Sequence, residues 1–311
     1  MIESRYTMRE SEDTVMEIET LRNFLAVAQE ENITRAAEYL HLTQPTLSRQ
    51  IQALEEEFGK KLLIRGKRRI TLTQDGILFR KRAAEIISLV DKTDAEMKEA
   101  SNELSGDIFI GAGETDVMRL VAQSAQKLRQ QYPGIRYRII SGAGDAVMDM
   151  LGKGLIDFGL VFGKVDELKY DAIPLGIEDS WGVILPEDSQ LARKKFIRPD
   201  DLWNVPLILS QQALEAGFLQ TWLKKDVSKL NIAATYTLIL NAEKMVAGGL
   251  GYAMALDRLV NLKDTSLCFR PCRPSLKAGI SILSKKYQVF SPPAQAFRDL
   301  LILSFQNNNR Q

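Results

Sequence analysis

Gln44, Thr46, Ser48, Arg49 and Gln52 put amides, hydroxyls and a guanidinium at the start of one helical pattern, and a basic tip, Arg65-Gly66-Lys67-Arg68-Arg69, follows shortly after. Such groups at a helix N-terminus read base edges in a major groove, and cations on a hairpin tip neutralise phosphates. Other chemistries lack their parts. The 311 residues include one histidine, His41, and two cysteines, Cys268 and Cys272. A zinc site takes about four N, S or O ligands, and a serine or cysteine nucleophile usually needs a histidine base. No catalytic residue, metal site or cofactor is therefore expected. An enzyme is the poorer reading of the chain, and an architectural DNA-binding protein without ligand response is the other alternative. The C-x3-C pair reads as structural or as a redox switch, and sparse cysteine fits a reducing cytoplasm.

The elements that must hold the first set are short helices. Phe24, Leu25, Val27 and Ala28 recur at helical spacing with Thr20 available as N-cap. Asn32-Ile33-Thr34 opens a second helix, Arg35 to Leu40, so Thr34 and Arg35 at its start join the candidate DNA contacts. Thr43 can cap a third helix from about Gln44 to Phe58, with Pro45 in the first turn, where its missing N–H costs nothing. Ile51, Leu54 and Phe58 are expected on its core face. Two β-prone runs, Leu62–Arg65 and Arg69–Thr73, flank the basic tip. The arrangement is a winged helix-turn-helix.

Charge supports that reading only locally. Forty-one Lys+Arg against forty Asp+Glu give a net charge of +1. Between Lys60 and Arg82, however, Lys60, Lys61, Arg65, Lys67, Arg68, Arg69, Arg80, Lys81 and Arg82 face one acid, Asp75, for a local net of +8. The wing cations are expected on phosphate, whereas Arg80-Lys81-Arg82 fits a solvated helix face equally well. Residues 1–15 are polar, acidic and aperiodic, as in a disordered extension, and Met16 is a candidate start. No apolar run reaches the ~18 residues of a membrane span, and the expected location is the cytoplasm.

Beyond the wing, Phe79, Ala83, Ile86, Val90, Thr93, Met97, Ala100 and Leu104 alternate steps of four and three, an a/d seam over about four heptads. The seam predicts a long helix over 76–105 that pairs with a second chain, with packing onto its own domain as the alternative. After Ser105-Gly106, apolar runs alternate with helical patterns in a β-α-β-α-β order, which implies a parallel sheet with ligands at the strand carboxyl ends. The predicted divisions are 16–75, the DNA-binding domain; 76–105, the linker helix; 106–174 with 262–311, a first lobe; and 175–261, a second lobe with strands near 181–185, 206–210 and 235–240.

Phe24-Leu25-Ala26-Val27-Ala28, Thr34-Arg35-Ala36-Ala37-Glu38, Leu42 through Ile51, Leu54-Glu55 and Leu72-Thr73-Gln74-Asp75-Gly76 resemble the DNA-binding domain of the LysR-type transcriptional regulators. Tyr132-Pro133-Gly134-Ile135, Ser141-Gly142, Gly154 through Leu160, Pro206-Leu207-Ile208 and Met245 through Tyr252 resemble that family's two-lobed, periplasmic-binding-protein-like effector domain. The resemblance implies that Gln44, Pro45, Ser48 and Arg49 touch DNA, that Arg65 and Arg68 reach its backbone or minor groove, and that the linker helix dimerises. It implies a double-stranded operator, a homodimer or homotetramer, RNA polymerase as a further candidate partner, and a small-molecule effector in the inter-lobe cleft. The implied effector positions are Gly113, Glu114, Thr115 and Asp116 from the first βα turn, Ser141, Gly144 and Asp145 from the second, and Ser210 and Gln211 from the opposing lobe. Thr115, Asp116 and Asp145 read equally as helix caps. Gly144 departs from the family's usual Ser or Thr, and the acid-rich turn at Glu114 and Asp116 sits poorly with a carboxylate ligand.

Overall fold

Apolar residues three and four apart build the first helices. The computed structural model describes residues 16–66, 69–97, 104–163, 165–215 and 217–306, and the chain divides into two compact units at Ala95/Glu96. Lys67 and Arg68, the extension 1–15 and residues 98–103 of the predicted linker lie outside the described residues.

In the first unit α1 (Ile18–Glu30), α2 (Ile33–Tyr39) and α3 (Gln44–Phe58) precede a hairpin of β1 (Leu63–Arg65) and β2 (Ile70–Leu72), and α4 (Gln74–Met97) follows. The Asn32 side chain accepts the Thr34 and Arg35 N–H groups at 2.9 and 3.1 Å and starts α2. Thr43 accepts the Thr46 N–H and starts α3, with Pro45 in the first turn. Thr20 is not a cap: α1 begins at Ile18 without a side-chain cap, and Thr20 is buried. Phe24, Val27, Ala36, Leu47, Ile51 and Leu54 are fully buried in one cluster. Phe58 sits at its rim, 40% exposed, because Phe79 of α4 lies 5.5 Å from its ring and completes the core instead.

The seam of α4 is shared between the two readings. Phe79 meets the Phe24 ring edge-on at 4.8 Å, and Ala83 clusters with Leu21. Ile87, not Ile86, joins them, so the first turns pack onto their own unit. Ile86, Leu89 and Met97 remain exposed.

The second unit is built on one mixed sheet. β3 (Gly106–Ala112), α5 (Met118–Gln131), β4 (Ile135–Ser141), α6 (Gly144–Gly152) and β5 (Phe158–Phe162) give the predicted parallel β-α-β-α-β run. β6 (Tyr170–Pro186) then spans 17 residues. β7 (Leu207–Ser210), α7 (Gln211–Glu215), α8 (Phe218–Leu223), β8 (Ile232–Tyr236), α9 (Ile239–Ala247), β9 (Tyr252–Leu256), β10 (Leu267–Pro271), β11 (Lys277–Lys285) and α10 (Pro292–Gln306) complete the chain. The strand order is β4-β3-β5-β11-β6-β9-β7-β8, with β10 also on β6.

β6 belongs to both lobes: residues up to Ser180 pair with β11, and Trp181 to Pro186 pair with β9 and β10. Ile108, Ile110, Phe158, Ile282, Phe297 and Leu301 form the core of one lobe. Val183, Leu185, Leu207, Leu209, Leu219 and Met254 form that of the other.

Two expectations change here. The strand placed at 235–240 ends at Tyr236, and α9 begins at Ile239. The chain does not return to the first lobe at 262: β10 pairs with Gly182–Pro186, and Leu267 and Cys272 are buried with second-lobe residues. The second crossing therefore follows Cys272, and the second-lobe cores also take in what was assigned to 262–272.

Candidate nucleic-acid interface and inter-lobe cleft

A helix with one face buried presents the other to solvent. In α3, Leu47, Ile51, Leu54 and Glu55 are buried, so at 100° per residue positions 45, 49 and 52 share the opposite face and Ser48 stands at its edge, beside Glu55. Gln44, Pro45, Thr46, Arg49 and Gln52 are exposed and Ser48 is half-buried. Thr34 and Arg35 are exposed at the start of α2. Two members of the set have partners: the Thr46 hydroxyl lies 2.8 Å from that of Thr43, and Gln52 donates to Glu56 at 2.9 Å.

The register of the wing against α3 is set by Glu55. Its carboxylate accepts the backbone N–H groups of Leu62 and Leu63 at 2.8 and 3.0 Å and pairs with Lys61 at 2.8 Å. Burial alone would raise its pKa, but these donors outweigh it and hold the carboxyl below its ordinary value. β1 and β2 pair Leu63 with Leu72 and Arg65 with Ile70, and the Ile70 N–H donates to Glu31 O at 2.7 Å, which ties the wing to α1.

The basic cluster is less free than its sum suggests. Lys60 pairs with Asp75, Lys61 with Glu55, Arg69 with Glu31 and Arg82 with Glu85. Among the described residues of the cluster, Arg65, Arg80 and Lys81 are exposed and form no ion pair.

In the second unit, the turn after β3 reaches across to the other lobe. Glu114 Oε2 accepts the Ile239 N–H at 2.8 Å, at the first residue of α9. The Thr115 hydroxyl donates to Asp179 of β6 at 2.7 Å and accepts the Val117 N–H at 3.1 Å, so this side chain is committed within the protein. Asp116 lies 3.7 Å from Arg258 and 3.9 Å from Arg119. Burial raises the Asp179 pKa; the Thr115 hydrogen bond offsets this in part, and Asp116 adds to the rise.

The second turn behaves differently. Ser141 and Asp145 are exposed, and the N-cap position of α6, Ala143, offers no side-chain cap. Asp145 lies in the first turn without capping it. A Cβ on Gly144 would stand 2.9 Å from Gln212 Nε2, so the opposing lobe's amide fills the space that a side chain at 144 would take. In that lobe Ser210 Oγ accepts the Ala213 N–H at 3.4 Å. Gln211 turns outward to donate to Glu215 at 3.0 Å.

Gln212 thus stands where Gln211 was expected, because α7 starts directly at the strand end and its helical rotation shifts the facing residue by one. Gly113, Glu114, Thr115, Asp116 and Gly144 come together with Gln212, Asp179, Arg258 and the Ile239 N–H. Sequence alone gave no signal for Asp179 or Arg258: one is buried in a strand that crosses between lobes, and the other follows β9 in a loop. Among the described residues no group of three or more His, Cys, Asp or Glu could hold a metal ion. No helix among them is long and apolar enough to cross a membrane.

Comparison with known proteins bears on both units. Residues 18–77 match the model "Bacterial regulatory helix-turn-helix protein, lysR family", and residues 101–305 match "LysR substrate binding domain". The chain is 28% identical over 291 residues to the Hca operon transcriptional activator HcaR of Escherichia coli (strain K12), covering 93% of this chain and 97% of that protein. It is 33% identical over 205 residues to a probable cat1 operon transcriptional activator of Acinetobacter lwoffii, covering 65% and 67%. Among solved structures, CbnR, a LysR family transcriptional regulator, superposes with a TM-score of 0.74 at 20% identity, covering 93% of this chain and 99% of that one. Full-length CbnR complexed with its target DNA gives 0.72 at 21% identity, covering 93% and 100%.

Proposed function

Because the chain belongs to the LysR family of bacterial DNA-binding transcriptional regulators, we propose that it reads a two-fold operator with the exposed face of α3 and responds to a small molecule held between the lobes of its second unit. The observation that carries this reading is the row of exposed side chains on α3, with Arg49 in no ion pair among the described residues, opposite a buried face.

Gln44, Pro45, Ser48, Arg49 and Gln52 face base edges; Thr34, Thr46 and Arg35 flank them; Arg65, with Lys67 and Arg68, meets phosphate or the minor groove. No cofactor takes part. The effector engages the turns at 113–116, 141–145 and 210–212 and shifts the population between lobe arrangements. That shift alters the spacing or bend of paired DNA-binding heads.

Quantitative footprinting of the full chain on operator and random duplex tests the first part. Arg49→Ala should cost about 1–3 kcal/mol on the operator and little on random DNA, whereas Arg65→Ala should weaken both alike. Equal losses for Arg49→Ala on the two duplexes would reject its base-reading role. A panel of metabolites that never changes the wild-type footprint would remove the effector part.

A further inference from the structure

The acidic turn after β3 does more than line the cleft. Glu114 lies in one lobe and α9 in the other, yet the carboxylate takes the first N–H of that helix at 2.8 Å. The residue preceding α9, Leu238, provides no side-chain cap, so Glu114 supplies one from across the cleft. A helix N-terminus carries roughly half a positive charge, and a full negative charge at 2.8 Å satisfies it.

The same turn also engages the cation on the facing lobe. Asp116 pairs with Arg258 at 3.7 Å, and Arg258 is shared with its neighbour Asp257 at 3.8 Å. Asp179 lies buried beside them, held by Thr115. At the second turn the group reaching across is the Gln212 amide, which carries no charge.

From these contacts we infer that Glu114 is a resident carboxylate of the cleft: it ties the two lobes together through α9 and bars a second carboxylate from that position, so the effector is a neutral or cationic molecule that presents N–H or O–H donors. The inference rests on the reading of the cleft as the effector site. An anion entering there meets Glu114, Asp116 and Asp257, with the buried Asp179 behind them, and Arg258, the opposing-lobe cation that Asp116 reaches, is already shared with Asp257. A donor-bearing ligand finds acceptors instead.

Amide hydrogen exchange at Ile239 and the residues after it tests this on the full-length protein, with acetate and propionate as probes against matched chloride. Glu114→Ala should speed exchange there by roughly three- to tenfold, and millimolar acetate should restore protection in the variant while leaving the wild type unchanged. Glu114→Gln keeps an acceptor without the charge, and its exchange should stay nearer the wild type. Unchanged exchange in Glu114→Ala, or equal protection of wild type and variant by acetate, would overturn the role of Glu114. An anionic metabolite that shifts the wild-type DNA footprint would reject the ligand class while upholding ligand response. A footprint that no compound alters, with the acetate rescue intact, would instead reject the effector reading and leave the inter-lobe tie standing.

Discussion

Glu55 is buried, with its side chain 4% exposed, and three donors converge on it: Lys61 and the N–H groups of Leu62 and Leu63. It holds the wing in register with α3, a role that its place four residues after Ile51 on an apolar helix face does not announce. Since its folded pKa lies below the ordinary 4.5, its stabilisation is complete above the unfolded value and fades as pH falls through the folded one. Glu55→Gln should lower the stability of the unit at pH 7 by about 1–3 kcal/mol, because a neutral amide serves the same N–H groups less well. Urea melts of wild type and variant should converge as pH falls below 4.5; a constant gap would show that the charge of Glu55 plays no part.

At the level of elements, the starts of α2 and α3 were legible because their caps are local, whereas α1 starts at Ile18 without the Thr20 cap that the sequence offered. Asn32 and Thr43 lie next to the backbone groups they satisfy, and Pro45 fits the first turn whatever surrounds it. Gly76 is a different case. It sits in the first turn of α4, and a Cβ there would come within 2.0 Å of Leu62 O, so the helix can approach the start of the wing only through a glycine. Gly76→Ala should cost about 1–3 kcal/mol or more, read as a lower melting temperature of the full chain, and a neutral effect would contradict this close approach. α7 shows the limit of local reading: one residue of rotation decides whether Gln211 or Gln212 faces the other lobe.

For the molecule as a whole, near-neutrality hides an uneven distribution. The nine cations from Lys60 to Arg82 give a local net charge of +8 against Asp75, yet Lys60, Lys61, Arg69 and Arg82 are engaged by acids of the same unit. Arg65 therefore stands out among the described wing cations. The stripe on α4 left uncovered by its own unit, Ile86, Leu89 and Met97, is the surface expected to join two chains. Ile86→Glu with Met97→Glu should shift the full chain to a smaller species in size-exclusion chromatography with light scattering, and weaken operator binding, with little loss in the melting of either unit. An unchanged mass would place the oligomer contact elsewhere.

Two residue patterns settled much in advance: helical spacing with local caps gave the winged helix-turn-helix, and alternation of apolar runs with helices gave the parallel part of the sheet. Both depend on interactions within a few residues, which the order of side chains already contains. What the tertiary structure decided are contacts between segments far apart in the chain. Glu114 meets Ile239, Thr115 meets Asp179, Gln212 covers Gly144, and Phe79 rather than Phe58 fills the core beside Phe24. In each case the partner is chosen by how strands and helices are stacked, and only packing brings those residues within a few ångströms of one another.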